Sequence, residues 1–180
     1  MRYYTLTDIA PQTRLTAAPD TVPVRLDRVN LPSELDRLQL VRRIDATRLQ
    51  ISELDRWEAP LDEMIRRVLS SDLAARLPAD LVADPNEPAP GEPRQSLSVD
   101  VQEFYADASC TIALRAVWVV KPSQGEAAQA RSRQSSEDVR IAPSGSCSGS
   151  QSLAEAMSQA LAQLSDRMAA GIAKPLAAGR

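Results

Sequence analysis

Apolar residues follow two rhythms along this chain, and each rhythm predicts one kind of element. The first has period two. In "PDTVPVRLDRVNLP", Val22, Val24 and Leu26 alternate with Pro23, Arg25 and Asp27, which reads as a strand with one buried face. Pro23 suits the start or the edge of such a strand. A short β-prone "YYTL" precedes it. "LQLVRRI" and "RLQISEL" read as a pair of brief strands joined by the polar "IDAT", with Leu49 and Ile51 on one face and Gln50 and Ser52 on the other. "SLSVDVQEF" places Leu97, Val99 and Val101 on one face. "CTIALRAVWVV" is apolar on both faces apart from Arg115, which predicts a central strand. "SEDVRIAP" is a weaker strand.

The second rhythm has period 3.6. In "WEAPLDEMIRRVLSSDLAARLP", Leu61, Met64, Ile65, Val68, Leu69, Leu73 and Leu77 form one helical stripe. Pro60 suits its first turn, Asp62 and Glu63 face the positive end of the helix dipole, and Pro78 stops it. In the last third, Leu153, Ala156, Met157, Ala160, Leu161, Leu164, Met168 and Ile172 form a second stripe. Ser152 and Glu155 have the spacing of a capping box at its start. Residues 79–95 and 122–133 read as surface loops, with a possible short strand at Leu81-Val82, and 143–151 as a Gly/Ser linker. The order strands, helix, strands, helix predicts an α+β domain over residues 1–180. Its single mixed or antiparallel sheet has about five or six strands, packed by two amphipathic helices.

The tripeptide Leu-Asp-Arg begins at Leu26, Leu35 and Leu54, so its spacings are 9 and 19 residues. A solenoid needs one fixed period. The copies therefore read as three strand or turn edges, the second just before the hairpin and the third just after it.

Composition narrows the function. Formal net charge is −3 and aromatics are 3 %, which disfavours nucleic acid both at the phosphates and at the bases. Histidine is absent, so His-based nucleophile systems and His-ligated zinc are excluded, and two cysteines cannot close a zinc site alone. No metal site and no cofactor is predicted. No apolar run approaches the ~18 residues of a membrane span, and "MRYYTLTDIAP" carries no signal peptide.

Several features invite a chemical reading. Asp36, Glu53, Asp55, Glu58, Asp62 and Glu63 cluster, but each has a local explanation as a strand end or a first helical turn, so no catalytic pair is predicted. "SGSCSGS" lacks the Lys of a phosphate loop. If the strands 110–120 and 134–142 pair antiparallel, partner numbers sum to about 253, which puts Cys110 opposite residue 143 and near Cys147. A Cys110–Cys147 disulfide is one reading; two unrelated thiols are the other. Trp57 reads as a staple on the following helix, and Arg42, Arg43 and Arg48 either bind an anion or protect an exposed hairpin from edge pairing.

The stretch "LPSELDRLQLVRRIDATRLQISELDRWEAPLDEMIRRVLSSDLAARLP" resembles the ABC-type transport auxiliary lipoproteins, the PqiC/YmbA-like proteins. The resemblance is carried by Tyr3-Tyr4-Thr5-Leu6, Leu31-Pro32, Leu35-Asp36-Arg37, Leu40-Val41-Arg42-Arg43, Arg56-Trp57, Pro60-Leu61 and Arg67-Val68-Leu69. Val99 to Phe104, Leu114 to Trp118 and the Ala/Leu-rich final helix continue it. It implies a non-enzymatic periplasmic lipoprotein of Gram-negative bacteria, held at the outer membrane and working with an MCE-domain protein in lipid transport. It further implies that Met1 stands just past an acylated cysteine whose lipid enters the inner leaflet of the outer membrane. Asp36, Arg37, Arg42, Arg43 and Trp57 are the candidate partner-binding residues, with structural roles at turns and at the helix start as the alternative. Self-association is plausible on the same footing. A stand-alone lipid carrier is the rival function, and the compact Leu/Val/Ala stripes argue against the large cavity it needs.

Overall fold

Among the described residues, seven strands and two helices follow one another as β1 (Arg2–Tyr4), β2 (Val24–Asn30), β3 (Gln39–Arg43), β4 (Leu49–Trp57), α1 (Leu61–Arg76), β5 (Gln95–Ala106), β6 (Ile112–Pro122), β7 (Arg133–Ile141) and α2 (Ser150–Ala173). The computed structural model describes residues 1–19, 21–83, 95–122, 132–142 and 149–174. One mixed sheet runs β1-β4-β3-β5-β6-β7, and β2 also pairs with β5. β5 is 12 residues long and takes two partners end to end on one edge: β2 along Gln95 to Asp100, and β3 at Ala106. The fold is the expected α+β arrangement, with seven strands in place of five or six.

β6 and β7 pair antiparallel with Ile112 opposite Ile141 and Ala113 opposite Arg140. The partner sum of 253 is thus the register found. β6 lies between β5 and β7, which is why both of its faces are apolar. Its inward residues Ile112, Leu114, Ala116, Trp118 and Val120 are buried with Leu97, Val99 and Phe104 of β5. A bulge between Val101 and Glu103 keeps Phe104 inward and turns Glu103 and Tyr105 to the other face.

Both helices cover the inward face, α1 against β2 and α2 against β5, β6, β7 and β1. Every residue of the two predicted stripes is buried. α2 passes so close to the sheet that a Cβ on Gly171 would lie 2.8 Å from the Trp118 ring, so any larger residue there must push the indole aside. The expected capping box is not formed. α2 starts at Ser150, two residues before Ser152, and Glu155 accepts a hydrogen bond from Gln151 Nε2 at 2.9 Å. The early start carries Ser150 into a contact with β4 described below.

Residues 5–18 form a strap across both helices, which sequence reading left unassigned. Thr7 N–H donates to Ser158 Oγ, Leu15 N–H to Arg76 O and Ala18 N–H to Ala173 O. Its central clasp is a buried pair. Asp72 accepts the Ile9 N–H at 2.9 Å and faces Arg76 Nη1 at 3.2 Å, with 1 % and 3 % of their side chains exposed. Arg76 also donates to Ile9 O and Ala162 O, and its Nε meets Asp166 at 2.6 Å. The signal was present: Asp72 and Arg76 are four apart on one helix and interleave with the apolar stripe.

Candidate interaction surface

The three Leu-Asp-Arg copies take different orientations. In β2, Leu26 faces the core and Asp27 the outside, as the alternation predicts. In the turn between β2 and β3, Leu35 is buried, Asp36 is exposed and Arg37 is half-buried. The third copy is reversed: Leu54 is 58 % exposed and Asp55 only 6 %. This copy lies inside β4, not after it, and the reason is a wide bulge. Gln39 pairs with Arg56 but Val41 with Ile51, so two steps on β3 face five on β4.

Asp55 points to the helix side, where Arg2 Nε donates at 2.6 Å, Ser150 Oγ at 2.7 Å and Ser52 Oγ at 3.2 Å. These bonds, the one from Arg2 foremost, hold the Asp55 carboxyl below the ordinary carboxylate range. One buried acid thus ties β1, the β4 bulge and the start of α2 together. A small polar hollow of about 210 Å³ beside it is lined by Leu40, Arg42, Gln50, Ser52, Asp55 and Ser150.

Turning Asp55 inward turns its neighbours outward. β1 pairs parallel with β4, Tyr3 beside Arg56 and Arg2 beside Asp55, so the same register puts Met1 beside Leu54. The Tyr3 hydroxyl donates to Met1 Sδ at 3.3 Å. Tyr3 is 63 % exposed, and Leu49 and Ile51 continue the apolar surface along β4 toward the hairpin tip. Leu49 and Ile51 therefore share one face, as their spacing predicts, but that face is the one the helices leave uncovered.

The proposed partner-binding residues do not form one patch. Asp36 is exposed on the β2–β3 turn. Arg42 faces the polar hollow, with Nη1 4.0 Å from Cys110 Sγ. Arg43 lies on the outer face over the Tyr105 ring at 4.6 Å, with Glu103 at 3.6 Å. Tyr105 in turn donates to Glu34 at 2.9 Å, and burial first, then Glu34, pushes its hydroxyl up to about 12. Arg37 and Arg56 each keep a buried Nε without a hydrogen-bond partner, and neither guanidinium joins an ion pair among the described residues. Trp57 is 3 % exposed in the core, beside Tyr4, which leaves almost none of it open to a partner. Its position just before α1 fits the alternative role as a staple. Cys110 is buried in the β5–β6 turn, and Cys147 lies outside the described residues. Among the described residues no group of three or more acids and cysteines is placed to hold a metal ion, and no helix is long and apolar enough to cross a membrane.

Residues 4–169 match the family model of the ABC-type transport auxiliary lipoprotein component. The chain belongs to that family. Two solved structures share the fold of this family member. A crystal structure of an uncharacterized protein superposes with a TM-score of 0.77 at 20 % identity, covering 94 % of this chain and 97 % of its own. The crystal structure of a DUF330-family protein from Xanthomonas campestris gives 0.64 at 16 % identity, covering 93 % and 92 %. No curated protein matches the chain in sequence.

Proposed function

We propose that this family member is a non-catalytic docking or bridging component of an MCE-type lipid transport system, working in the periplasm and anchored to the inner leaflet of the outer membrane by an N-terminal lipid. The observation that carries the reading is the family match over residues 4–169. A transport auxiliary lipoprotein needs a stable body near a membrane and a surface for its transporter. Exposed Asp36 and the positioned cations Arg42 and Arg43 are the contact candidates for the MCE-domain protein of the same system. Arg43 is held by Glu103 and Tyr105, so little side-chain entropy would be lost when a partner carboxylate meets it. A Cys110–Cys147 disulfide belongs to the same reading, since an oxidising periplasm favours it. Self-association around a central partner also fits a tethered accessory protein.

Affinity capture of the cognate MCE-domain protein by the full chain tests the docking role. Capture is expected, and the Arg42→Glu, Arg43→Glu double variant is expected to weaken it. A wild-type chain that captures nothing under detergent extraction would sink the docking reading. The stand-alone carrier reading has one observation in its favour. An open groove of about 480 Å³ runs along α1, lined by Met64, Ala74 and Val82 with Arg66 and Arg67 at its side. Mass spectrometry of the purified native protein separates the two: reproducible phospholipid that is lost in Ala74→Asp, at an exposed position of the groove, would favour the carrier.

A further inference from the structure

The outer corner made by β1 and β4 combines three features that the docking role does not use. Its centre is apolar and exposed: Met1, Tyr3 and Leu54 side by side, then Ile51 and Leu49 along β4. Its flank is cationic. Arg56 stands beside Tyr3 and opposite Gln39. The bond from Trp57 N–H to Leu38 O closes the Gln39–Arg56 bridge, and Arg37 lies in the bend at its end. Glu58 is already taken by Thr5 and Arg67, while Arg37 and Arg56 each keep a buried Nε without a partner. Its third feature is its place in the chain order, since β1, Arg2–Tyr4, comes ahead of every other strand and helix among the described residues.

We infer that this corner is a seat on a phosphate-bearing lipid surface, with Tyr3, Leu54 and Ile51 entering the headgroup layer and Arg37 and Arg56 meeting lipid phosphates. The inference rests on the reading that a lipid ahead of β1 holds the protein at a membrane. A tether ahead of β1 joins the body at this corner, before any other described element. Tethering raises the effective concentration of a weak contact, so a modest apolar patch suffices. Exposed apolar side chains bordered by arginines suit an interface where one layer is hydrocarbon and the next carries phosphate. Each of these guanidiniums, without an ion pair among the described residues, would gain an anion there. The seat fixes the orientation of the body. β1 and β4 lie against the membrane, and the β5–β6–β7 side of the sheet lies away from it.

Vesicle co-sedimentation of the full chain tests the seat, using phosphatidylethanolamine–phosphatidylglycerol vesicles and, in parallel, phosphatidylcholine vesicles. The wild type is expected to partition onto the first more than onto the second. Leu54→Asp or Tyr3→Asp should lower the partition coefficient about tenfold by withdrawing one inserted side chain. Arg37→Gln with Arg56→Gln should remove most of the preference for anionic lipid and flatten the salt dependence. Val117→Asp, on the outer face of β6, should leave partitioning unchanged. Tyr3 and Leu54 are exposed, so their variants should melt like the wild type, which separates a lost seat from a lost fold. Equal partitioning of wild type and Leu54→Asp overturns the seat. So does a Leu54→Asp chain that keeps its vesicle binding but no longer captures the MCE-domain protein, because the corner would then be a protein interface. If instead the wild type captures no MCE-domain protein while Leu54→Asp loses vesicles, the seat stands and the docking role falls.

Discussion

The helix-covered face of the sheet and the outer β1–β4 corner solve opposite problems. Under the helices, apolar stripes from α1 and α2 meet the inward residues of β5 and β6, and the charges buried there, Asp72 and Arg76, are fully engaged. At the corner, an acid goes inward and leucine, isoleucine and tyrosine stay outside. The same tripeptide that buries its leucine in the β2–β3 turn exposes it in β4. The lesson is that local alternation decides a residue's face only while the register holds. A bulge of the size found at 52–55 reassigns it.

Substitutions can test this contrast, beginning with the largest expected effect. Arg76→Ala would leave Asp72 buried beside a lost cation and should cost about 3–5 kcal/mol in chemical denaturation. A substitution here that melts like the wild type would mean the strap is not clasped as described. Reducing the proposed Cys110–Cys147 bond should cost about 2–4 kcal/mol, through the loop it would close. Ellman titration of denatured, unreduced protein should find no free thiol, and two free thiols would remove that bond. Gly171→Ala forces a methyl to 2.8 Å from Trp118 and should cost about 1–3 kcal/mol, with a shifted indole fluorescence.

The two buried acids should respond to pH in opposite senses. Asp55 has its carboxyl lowered from 3.8, so its contribution is complete above that value and is lost as pH falls through the lowered one. The melting advantage of wild type over Asp55→Asn should therefore be present at neutral pH and vanish in acid. Burial raises the Asp72 carboxyl above 3.8 despite the Ile9 N–H and Arg76. Wild type should lose ground to Asp72→Asn as pH rises from 3.8 through that raised value. Parallel pH profiles for the two variants would contradict the two environments. Smallest of all, Leu54→Asp should change stability by no more than about 0.5 kcal/mol, since the side chain is already in water.

Much of the helix-covered face was legible because it depends on period alone. The stripes of α1 and α2, the two-sided apolarity of β6 and the β6–β7 register all follow from short-range pattern. The corner was not legible for a physical reason. Asp55 is drawn inward by Arg2, 53 residues earlier, and by Ser150, 95 residues later, and no window of alternating residues contains those partners. Trp57 was read both as a staple and as a candidate contact, and its burial beside β1 favours the staple. The strap was invisible because residues 5–18 have no period at all, and their order comes from the side chains of two helices.

The strap has a mechanical consequence. A pull exerted through the residues before Arg2 first loads β1, which is only three residues long and easily peeled from β4. Beyond it the load reaches Thr7, Ile9, Leu15 and Ala18 in turn, and each is stitched to a helix by its own backbone N–H. Tension is therefore passed step by step into the helix pair, whose apolar stripes are buried throughout. The sheet, with its bulged and exposed corner, is relieved of the strain.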